Sequence, residues 1–239
     1  MSGERLALVT GTSSGIGAAV ATQLLERGWQ VVGVARRKVE HGERYQHLAL
    51  DLADVRKSTA AIEREFGARL AAQHWERIGL VNNAAAAPAG RVQHLDAQEL
   101  VHAYALNAAM PLWLIGFLAR RKPSGAELRV VNVSSGAAGR AVPGLAAYCS
   151  SKAALRMAGM TAAAEVDDIA ILSYEPGVVD TEMQLATRSR SPEEFPWVAM
   201  FRQYHAEGRL VAPQLPAADI VEFLESRQAE RFVERRRGA

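Results

Sequence analysis

Three residues near the middle of the chain have the types and spacing needed to move a proton. Tyr148 and Lys152 are four residues apart, and Ser135 precedes the tyrosine by thirteen. If Tyr148 begins a helix, Lys152 lies one turn further along the same face, where its ammonium favours the phenolate and lowers the phenol pKa from about 10. Such a tyrosine can exchange a proton with a carbonyl oxygen during hydride transfer. Taken alone, the pair is more commonly an exposed contact, and Ser135 could be a turn residue.

A glycine-rich turn near the N-terminus has the form of a phosphate-binding site. The sequence TGTSSGIG at 10–17 follows a predicted strand and opens a predicted helix. Glycines permit a tight turn and a close approach of the backbone to a pyrophosphate, whose charge is stabilised at a helix N-terminus. The TGxxxGxG spacing differs from GxGxxG and lacks the lysine of a P-loop. The predicted dinucleotide contacts in this turn are Gly11, Ser13, Ser14, Gly15, Ile16 and Gly17.

The residues after the next two predicted strands indicate which dinucleotide binds. A site for NAD usually places Asp or Glu at the end of the second strand, to bind the ribose hydroxyls. This chain has Arg36 and Arg37 there, and a guanidinium suits a 2′-phosphate that a carboxylate would repel. A pair of surface arginines is the alternative. The sequence favours NADP(H), with Asp51 and Leu52 beside the adenine.

Short apolar stretches alternate with longer helical patterns along the chain. This alternation predicts an α/β fold, with a Rossmann-like, doubly wound parallel sheet of about seven strands and helices on both faces. We expect a single domain over 1–239. Strands are predicted at 5–10, 29–35, 45–52, 78–84, 128–135, 169–177 and 231–235, and helices at 15–28, 55–72, 95–121, 146–166 and 216–226.

One segment, at about 182–210, breaks the alternation. It contains prolines, mixed charges and a group of bulky side chains. A long irregular stretch within a compact domain is usually functional, so we predict a substrate lid. Packing of the bulky residues against the core is the alternative. The candidate substrate contacts are Trp197, Met200, Phe201 and Tyr204.

Composition excludes several other classes of function. The net charge is only +2, so there is no broad field for nucleic acid or membrane, and the basic run at 234–237 is expected to be a solvated tail. The single cysteine gives no disulfide framework or CxxC pair, and the six histidines show no metal-ligand spacing. We therefore expect no metal site. Because no apolar run reaches the length of a membrane span, we also expect a cytoplasmic protein.

Further motifs occur in order along the chain. Asn82-Asn83-Ala84 follows the fourth predicted strand, Asn107 lies in a long helix, and Pro176-Gly177 follows the sixth strand. With the glycine-rich turn, Ser135 and the YCSSK stretch at 148–152, this order resembles the short-chain dehydrogenase/reductase family over nearly the whole chain. The resemblance implies a Rossmann-like fold and a catalytic tetrad. The implied coenzyme contacts beyond the turn are Asn83, Ala84, Tyr148, Lys152, Pro176, Gly177, Val179 and Thr181.

The resemblance assigns a role to each member of the tetrad. Tyr148 would be the acid/base, Ser135 would orient the substrate, and Lys152 would bind the ribose and modify the tyrosine pKa. Asn107 would hold a water in a proton relay. Two positions depart from the family pattern: Ala85 stands where Gly is usual, and would be strained if its φ were positive, and Ser14 stands where many NADPH-dependent members carry a basic residue.

The stretches after the tetrad resemble the sepiapterin reductase-like branch of the family, including benzil reductases. That resemblance implies NADPH-dependent reduction of a ketone or of one carbonyl of a vicinal dicarbonyl. A broader reductase of 3-oxoacyl or simple keto substrates is the alternative, and a non-catalytic NADP(H)-sensing protein is a remote one. Apolar and small residues on the helices at about 96–120 and 148–165 predict a homodimer, with a tetramer as the alternative.

Overall fold

The computed structural model describes residues 4–238. Its strands are β1 (Arg5–Thr10), β2 (Gln30–Ala35), β3 (Tyr45–Ala49), β4 (Arg77–Asn82), β5 (Glu127–Val133), β6 (Ile169–Glu175) and β7 (Phe232–Arg236). They form one sheet in the order β3-β2-β1-β4-β5-β6-β7. Every neighbouring pair is parallel. The predicted doubly wound α/β fold is therefore confirmed.

Eight α-helices connect the described strands. They are α1 (Gly15–Glu26), α2 (Val55–Ala71), α3 (Ala97–Tyr104), α4 (Met110–Arg121), α5 (Ala146–Glu165), α6 (Glu182–Arg188), α7 (Val198–Ala206) and α8 (Gln214–Glu225). The long helix predicted at 95–121 is interrupted by a π-helical turn, Ala105–Ala109, between α3 and α4. The lid predicted at 182–210 is largely helical, since it contains both α6 and α7.

The third strand is shorter than predicted, and its end is set by local hydrogen bonds. It stops at Ala49 rather than 52. The Asp51 carboxylate accepts a hydrogen bond from Ala53 N at 3.0 Å, which turns the chain. Asp54 then caps α2 by accepting from Lys57 N. Asp51 and Leu52 consequently lie in the loop at the carboxyl edge of the sheet.

The order of the strands places a crevice at the carboxyl edge. The chain moves outward from β1 to β2 and β3 on one side, and from β1 to β4 and the later strands on the other. Loops after β1 and β4 therefore leave in opposite directions, and such a switch point is where doubly wound sheets bind ligands. The glycine-rich turn joins β1 to α1 at this point.

Two apolar layers hold the sheet between its helices. On one face, Phe66 of α2 and Phe117 of α4 are fully buried, with Leu80 of the sheet between them. On the other face, Leu24 of α1 and Phe223 of α8 are fully buried. Each such side chain contributes about 1.5–3 kcal/mol by burial. Burial on both faces makes the sheet rigid, and the sheet in turn holds the side chains at its carboxyl edge in fixed positions.

The segment Ala97–Arg121 is apolar as well as long. Its most apolar window has a mean hydropathy of 1.4, and 39% of that window is buried. By length and composition alone it could cross a membrane, but core helices of soluble proteins meet the same criterion, so this is weak evidence. Val101 and Leu112 on this segment are exposed.

Candidate active site

The carboxyl edge of the sheet carries a cavity of about 800 Å³ that collects most of the predicted site residues. It runs from the end of β2, past the glycine-rich turn and the ends of β4 to β6, to the lid. Of the predicted residues, the cavity is lined by Gly11, Ser13, Ser14, Gly15, Ile16, Arg36, Arg37, Asp51, Leu52, Asn83, Ala84, Ser135, Tyr148, Lys152, Pro176, Gly177, Val179, Thr181, Trp197, Met200 and Phe201. Gly17, Asn107 and Tyr204 are not among its lining residues.

Close contacts that only glycine allows pack the glycine-rich turn on itself and against the loop after β4. A Cβ at Gly17 would lie 2.3 Å from the Gly11 carbonyl oxygen, and one at Gly11 would lie 2.7 Å from Asn83 Nδ2. Gly11 also has a φ of 76°. Gly17 therefore packs against Gly11 inside the turn and does not face the cavity.

Hydrogen bonds also join the start of this turn to the Asn82-Asn83-Ala84 motif after β4. Asn83 Nδ2 donates to Thr10 O at 2.9 Å, and the backbone N–H groups of Asn83 and Ala84 donate to Thr10 Oγ1. Thr10 is buried at the end of β1. These bonds hold the two loops of the crevice at a fixed separation, with residues of both loops facing the cavity.

The N-terminus of α1 opens into the cavity. Ser14 is its N-cap residue, and within the described chain no side chain caps this helix, nor is there an acidic residue in its first turn. The first backbone N–H groups of the helix are therefore available to an anion. Ser13, Ser14, Gly15 and Ile16 all line the cavity at this point, which is the arrangement a pyrophosphate needs.

Tyr148 lies in the first turn of α5 and faces the cavity near Ser135. Burial raises the pKa of Tyr148 to about 12, and the nearby Ser135 hydroxyl partly offsets the rise. The prediction of a lowered tyrosine pKa is therefore wrong for this structure, because removal from water outweighs any attraction to the neighbouring lysine. The phenol is protonated at neutral pH.

Lys152 follows one turn later and is almost fully buried. Its Nζ donates to Val133 O at 2.7 Å and lies 5.7 Å from the centroid of the Tyr148 ring. Burial lowers the pKa of Lys152 to about 8. The ammonium thus lies below the tyrosine, anchored to the end of β5, and is within reach of the cavity that both residues line.

Asn107 lies in the π-helical turn, where a local irregularity is often functional. Its Nδ2 donates to Ala86 O at 2.8 Å and to Ser151 Oγ at 2.9 Å, and its Oδ1 accepts from Ala86 N at 2.8 Å. The side chain is fully buried. Asn107 therefore ties the loop after β4 to α5, next to Lys152.

The two arginines after β2 have different surroundings. Arg37 Nη2 lies 2.9 Å from both carboxylate oxygens of Glu182, the first residue of α6. Within residues 4–238, no carboxylate lies within 4 Å of the Arg36 guanidinium, which is exposed and lines the cavity. Arg36 is therefore the cation left free for a ligand, while Arg37 joins this end of the cavity to the lid.

The lid closes the other end of the cavity. Phe195 is fully buried against Val142 and Leu145, and Trp197, Met200 and Phe201 line the cavity beside them. Tyr204 is placed elsewhere. The Arg209 guanidinium lies 4.4 Å from the centroid of its ring, so the predicted contact of Tyr204 with a substrate is corrected: the ring packs on a neighbouring arginine outside the cavity.

The substitution of alanine at position 85 introduces no backbone strain. Among the described residues, Asp168 is the one non-glycine residue with a positive φ. Ala85 is therefore outside the left-handed region, and the condition under which it would be strained is not met. Its methyl group lines the cavity beside Ala84.

Comparison with known proteins identifies the family. The sequence model of the family described as short chain dehydrogenase matches residues 5–192. The chain belongs to this family. A benzil reductase ((S)-benzoin forming) of Bacillus subtilis is 35% identical over 228 residues, which cover 92% of this chain and 93% of the relative. A diacetyl reductase ((S)-acetoin forming) of Staphylococcus aureus is 28% identical over 96% of this chain and 94% of the relative.

Solved structures agree with this assignment. The crystal structure of the KRED1-Pglu enzyme matches with a TM-score of 0.82 and 28% identity, over 96% of this chain and 100% of that one. The chain is thus a short chain dehydrogenase by sequence and by fold. A 4-hydroxyisoleucine dehydrogenase solved in complex with NADH shares this fold, with a TM-score of 0.80 and 22% identity over 98% of this chain and 96% of that one. The free helix N-terminus, the glycine turn and Arg36 are the groups in this cavity that fit such a coenzyme.

Several residues that line the cavity of this short chain dehydrogenase were missed from the sequence. Leu106 directly precedes Asn107 and could have been found from that motif. Glu175 directly precedes Pro176-Gly177 and could have been found in the same way. Three arginines that also line the cavity gave no signal, because none of them was a member of a predicted site motif: Arg140, Arg190 and Arg236. No group of three or more potential metal ligands occurs in the described part of the chain.

Proposed function

We propose that this chain is an NADPH-dependent carbonyl reductase that transfers hydride to one carbonyl of a vicinal dicarbonyl. The observation that carries the proposal is that Ser135, Tyr148 and Lys152 line the same cavity as the glycine-rich turn and Arg36. One cavity thus joins the proton-handling groups to a dinucleotide site. The names of the two relatives support the substrate class, since benzil and diacetyl are both 1,2-diketones.

The proton steps follow from the site's own groups. Ser135 Oγ accepts from Ala137 N at 3.2 Å, and its hydroxyl, which faces Tyr148, can donate to a substrate carbonyl oxygen. Tyr148 is protonated at neutral pH because burial raises its pKa to about 12, so it acts as the acid in reduction. The bound nicotinamide coenzyme supplies the hydride. When Tyr148 gives up its proton, the Lys152 ammonium stabilises the phenolate.

Selectivity for NADP(H) over NAD(H) is assigned to Arg36. Its guanidinium lines the cavity where a ribose 2′-phosphate would lie, and β2 ends without the acid that binds ribose hydroxyls in NAD sites. A 2′-phosphate gives the guanidinium a charge-assisted partner. Ser13 adds a hydroxyl on the neighbouring turn, and Asp51 and Leu52, which line the same end of the cavity, would border the adenine.

The substrate end favours flat apolar groups. Adjacent carbonyls make the attacked carbon electrophilic, so an apolar surface is sufficient to hold the substrate for hydride transfer. Trp197, Met200 and Phe201 supply that surface. Reduction of 3-oxoacyl or simple keto substrates remains the alternative, and a protein that binds NADP(H) without catalysis is the remote one.

We further infer that the enzyme is cytoplasmic and forms a homodimer through α3, α4 and α5. Five large hydrophobic residues on these helices are exposed, in contrast to the buried side that faces the sheet. Pairing with a second copy would remove them from water. The five residues are Val101, Tyr104, Leu112, Met157 and Met160.

A turnover assay tests the proposed function. NADPH and NADH are each incubated with benzil, diacetyl, sepiapterin and a 3-oxoacyl thioester, and coenzyme oxidation is measured. We expect turnover with NADPH and the 1,2-diketones. Turnover confined to 3-oxoacyl thioesters would favour the alternative substrate, and coenzyme binding without turnover of any carbonyl would favour the sensing protein.

A further inference from the structure

One arginine in the cavity has no role in the proposed chemistry. Arg140 follows the short 3₁₀ turn Gly136–Ala138, which begins directly after Ser135. A Cβ at Gly136 would lie 3.5 Å from Arg140 Nη2 and 3.6 Å from Arg140 Nε. The guanidinium therefore folds back over Gly136, the residue next to Ser135.

Arg140 also lies at the substrate end of the cavity rather than at the coenzyme end. Along the chain it lies between Ser135 and the pair Val142 and Leu145, all of which line the cavity. Val142 and Leu145 pack in the same cluster as Phe195 of the lid. The coenzyme end has its own arginines, 36 and 37, on the far side of the glycine-rich turn. The Arg140 guanidinium would therefore face the part of the substrate that extends beyond its reacting carbonyl.

The charges around Arg140 leave it without a close ionic partner. Within residues 4–238, no carboxylate lies within 4 Å of its guanidinium. Glu175 Oε2 comes within 3.5 Å of the same Cβ position at Gly136, but it also lies 3.9 Å from Arg236 Nε. The acid is shared with a second cation, so the two arginines and one carboxylate carry a net positive charge at this end of the cavity.

We propose that Arg140 is an anion-binding residue that selects dicarbonyl substrates carrying a carboxylate. The guanidinium is planar and presents two parallel N–H donors, a match for the two oxygens of a carboxylate. The reacting carbonyl would be bound by Ser135 and Tyr148, and the carboxylate would bind Arg140, which is five residues after Ser135 along the chain. This inference rests on the proposed dicarbonyl reduction, and it names the substrate class more closely.

Binding without turnover provides the first test. Benzoate and benzamide have the same ring and nearly the same size, but only benzoate is charged. Their Kd values are measured by calorimetry with NADP⁺ at saturation, for the wild type and for Arg140→Met, Arg140→Lys and Arg64→Met. Arg64 is an exposed residue of α2 that pairs with Glu65, so its variant controls for the loss of one positive charge.

Arg140→Met should weaken benzoate binding by about tenfold or more, since a charge-assisted hydrogen bond is lost, and should leave benzamide unchanged. Arg140→Lys should restore part of the affinity, and Arg64→Met should have no effect. Glu175→Gln should strengthen benzoate binding a few-fold, because the competing carboxylate is removed. Equal loss of benzoate and benzamide in Arg140→Met would overturn the proposal, as would wild-type benzoate affinity in that variant.

Turnover provides the second test and separates this inference from the proposed function. The ratio of kcat/KM for 4-carboxybenzil to that for benzil is compared between the wild type and Arg140→Met. The ratio should fall about tenfold in the variant. Turnover of both substrates with an unchanged ratio would refute the role of Arg140 and leave the dicarbonyl reductase intact. Failure of the wild type on both diketones would refute the proposed function, and the benzoate measurement would still decide on the anion site.

Discussion

The floor and the lid of the cavity are built in different ways. On the floor, Asn107, Ser151 and Lys152 are each at most 2% exposed, and hydrogen bonds fix their positions. In the lid, Met183 and Leu185 of α6 are 37% and 52% exposed, and the cavity-facing residues are mostly apolar. Proton transfer requires fixed distances, whereas substrate choice requires only a surface of suitable shape. We therefore expect floor substitutions to affect kcat and lid substitutions to affect KM.

The largest effect is expected from Lys152→Met on the floor. Loss of the ammonium removes the charge that stabilises the tyrosine phenolate, so kcat should fall by about 10²- to 10⁴-fold. The check is steady-state kinetics with NADPH and benzil. A variant that keeps wild-type kcat and changes only KM would show that the floor and the lid do not differ in the way described.

The same lysine should make stability depend on pH. Its folded pKa is lowered to about 8 from 10.5, so between these values the unfolded chain binds more protons than the folded one. The free energy of unfolding contributed by this group therefore rises with pH across that interval, by roughly 1.4 kcal/mol per pH unit at most. Urea unfolding of the coenzyme-free protein at pH 7.5 to 10 measures it.

The difference between wild type and Lys152→Met isolates this contribution from those of other groups. Relative to the variant, the wild type should gain stability as the pH rises from 8 to 10. A difference that is constant over that range would mean that the lysine titrates normally in the folded protein, and that the floor is more open to water than its burial indicates.

A smaller effect is expected at the coenzyme end. Arg36→Ala should lower the NADPH-to-NADH preference in kcat/KM by about 10- to 100-fold, because a charge-assisted contact to the 2′-phosphate is lost. Arg37→Ala is the matched comparison, since Arg37 already pairs with Glu182, and it should change the preference less. If both substitutions lowered the NADPH-to-NADH preference equally, the ion pair of Arg37 with Glu182 would not distinguish the two arginines in coenzyme selection.

The smallest effect is expected in the lid. Trp197→Ala should raise KM for benzil by about 5- to 30-fold through lost apolar contact, with kcat little changed. Diacetyl is the control, because it has no ring to cover, and its KM should stay near the wild-type value. A fall in kcat for both diketones would show that Trp197 supports the chemistry rather than the substrate.

The regular parts of this molecule could be predicted from sequence because their signals are local. The sheet follows from alternating apolar and helical patterns, and the turn at 10–17 and the residues from Ser135 to Lys152 lie in short motifs. The tyrosine pKa could not be predicted, because it depends on burial by residues distant in sequence. The spacing alone could not show that Lys152 donates to Val133, which is 19 residues away along the chain.

The lid and the cations near it were predicted least well. Tyr204 has the residue type of a substrate contact, but the turn of α7 directs it toward Arg209. Arg140 and Glu175 both come close to Gly136, although they lie on separate elements, and Arg236 approaches Glu175 from the neighbouring strand. Such arrangements arise from tertiary packing, for which a single sequence gives no periodic signal.

Replacement of Tyr148 by phenylalanine tests the central claim most directly. The variant keeps the ring but loses the proton, so NADPH should bind with a Kd within about twofold of wild type while kcat for benzil falls by about 10²- to 10⁴-fold. Tyr204→Phe is the matched control, because Tyr204 lies outside the cavity, and it should retain full turnover. Turnover at the wild-type rate in Tyr148→Phe would contradict the assignment of Tyr148 as the proton donor.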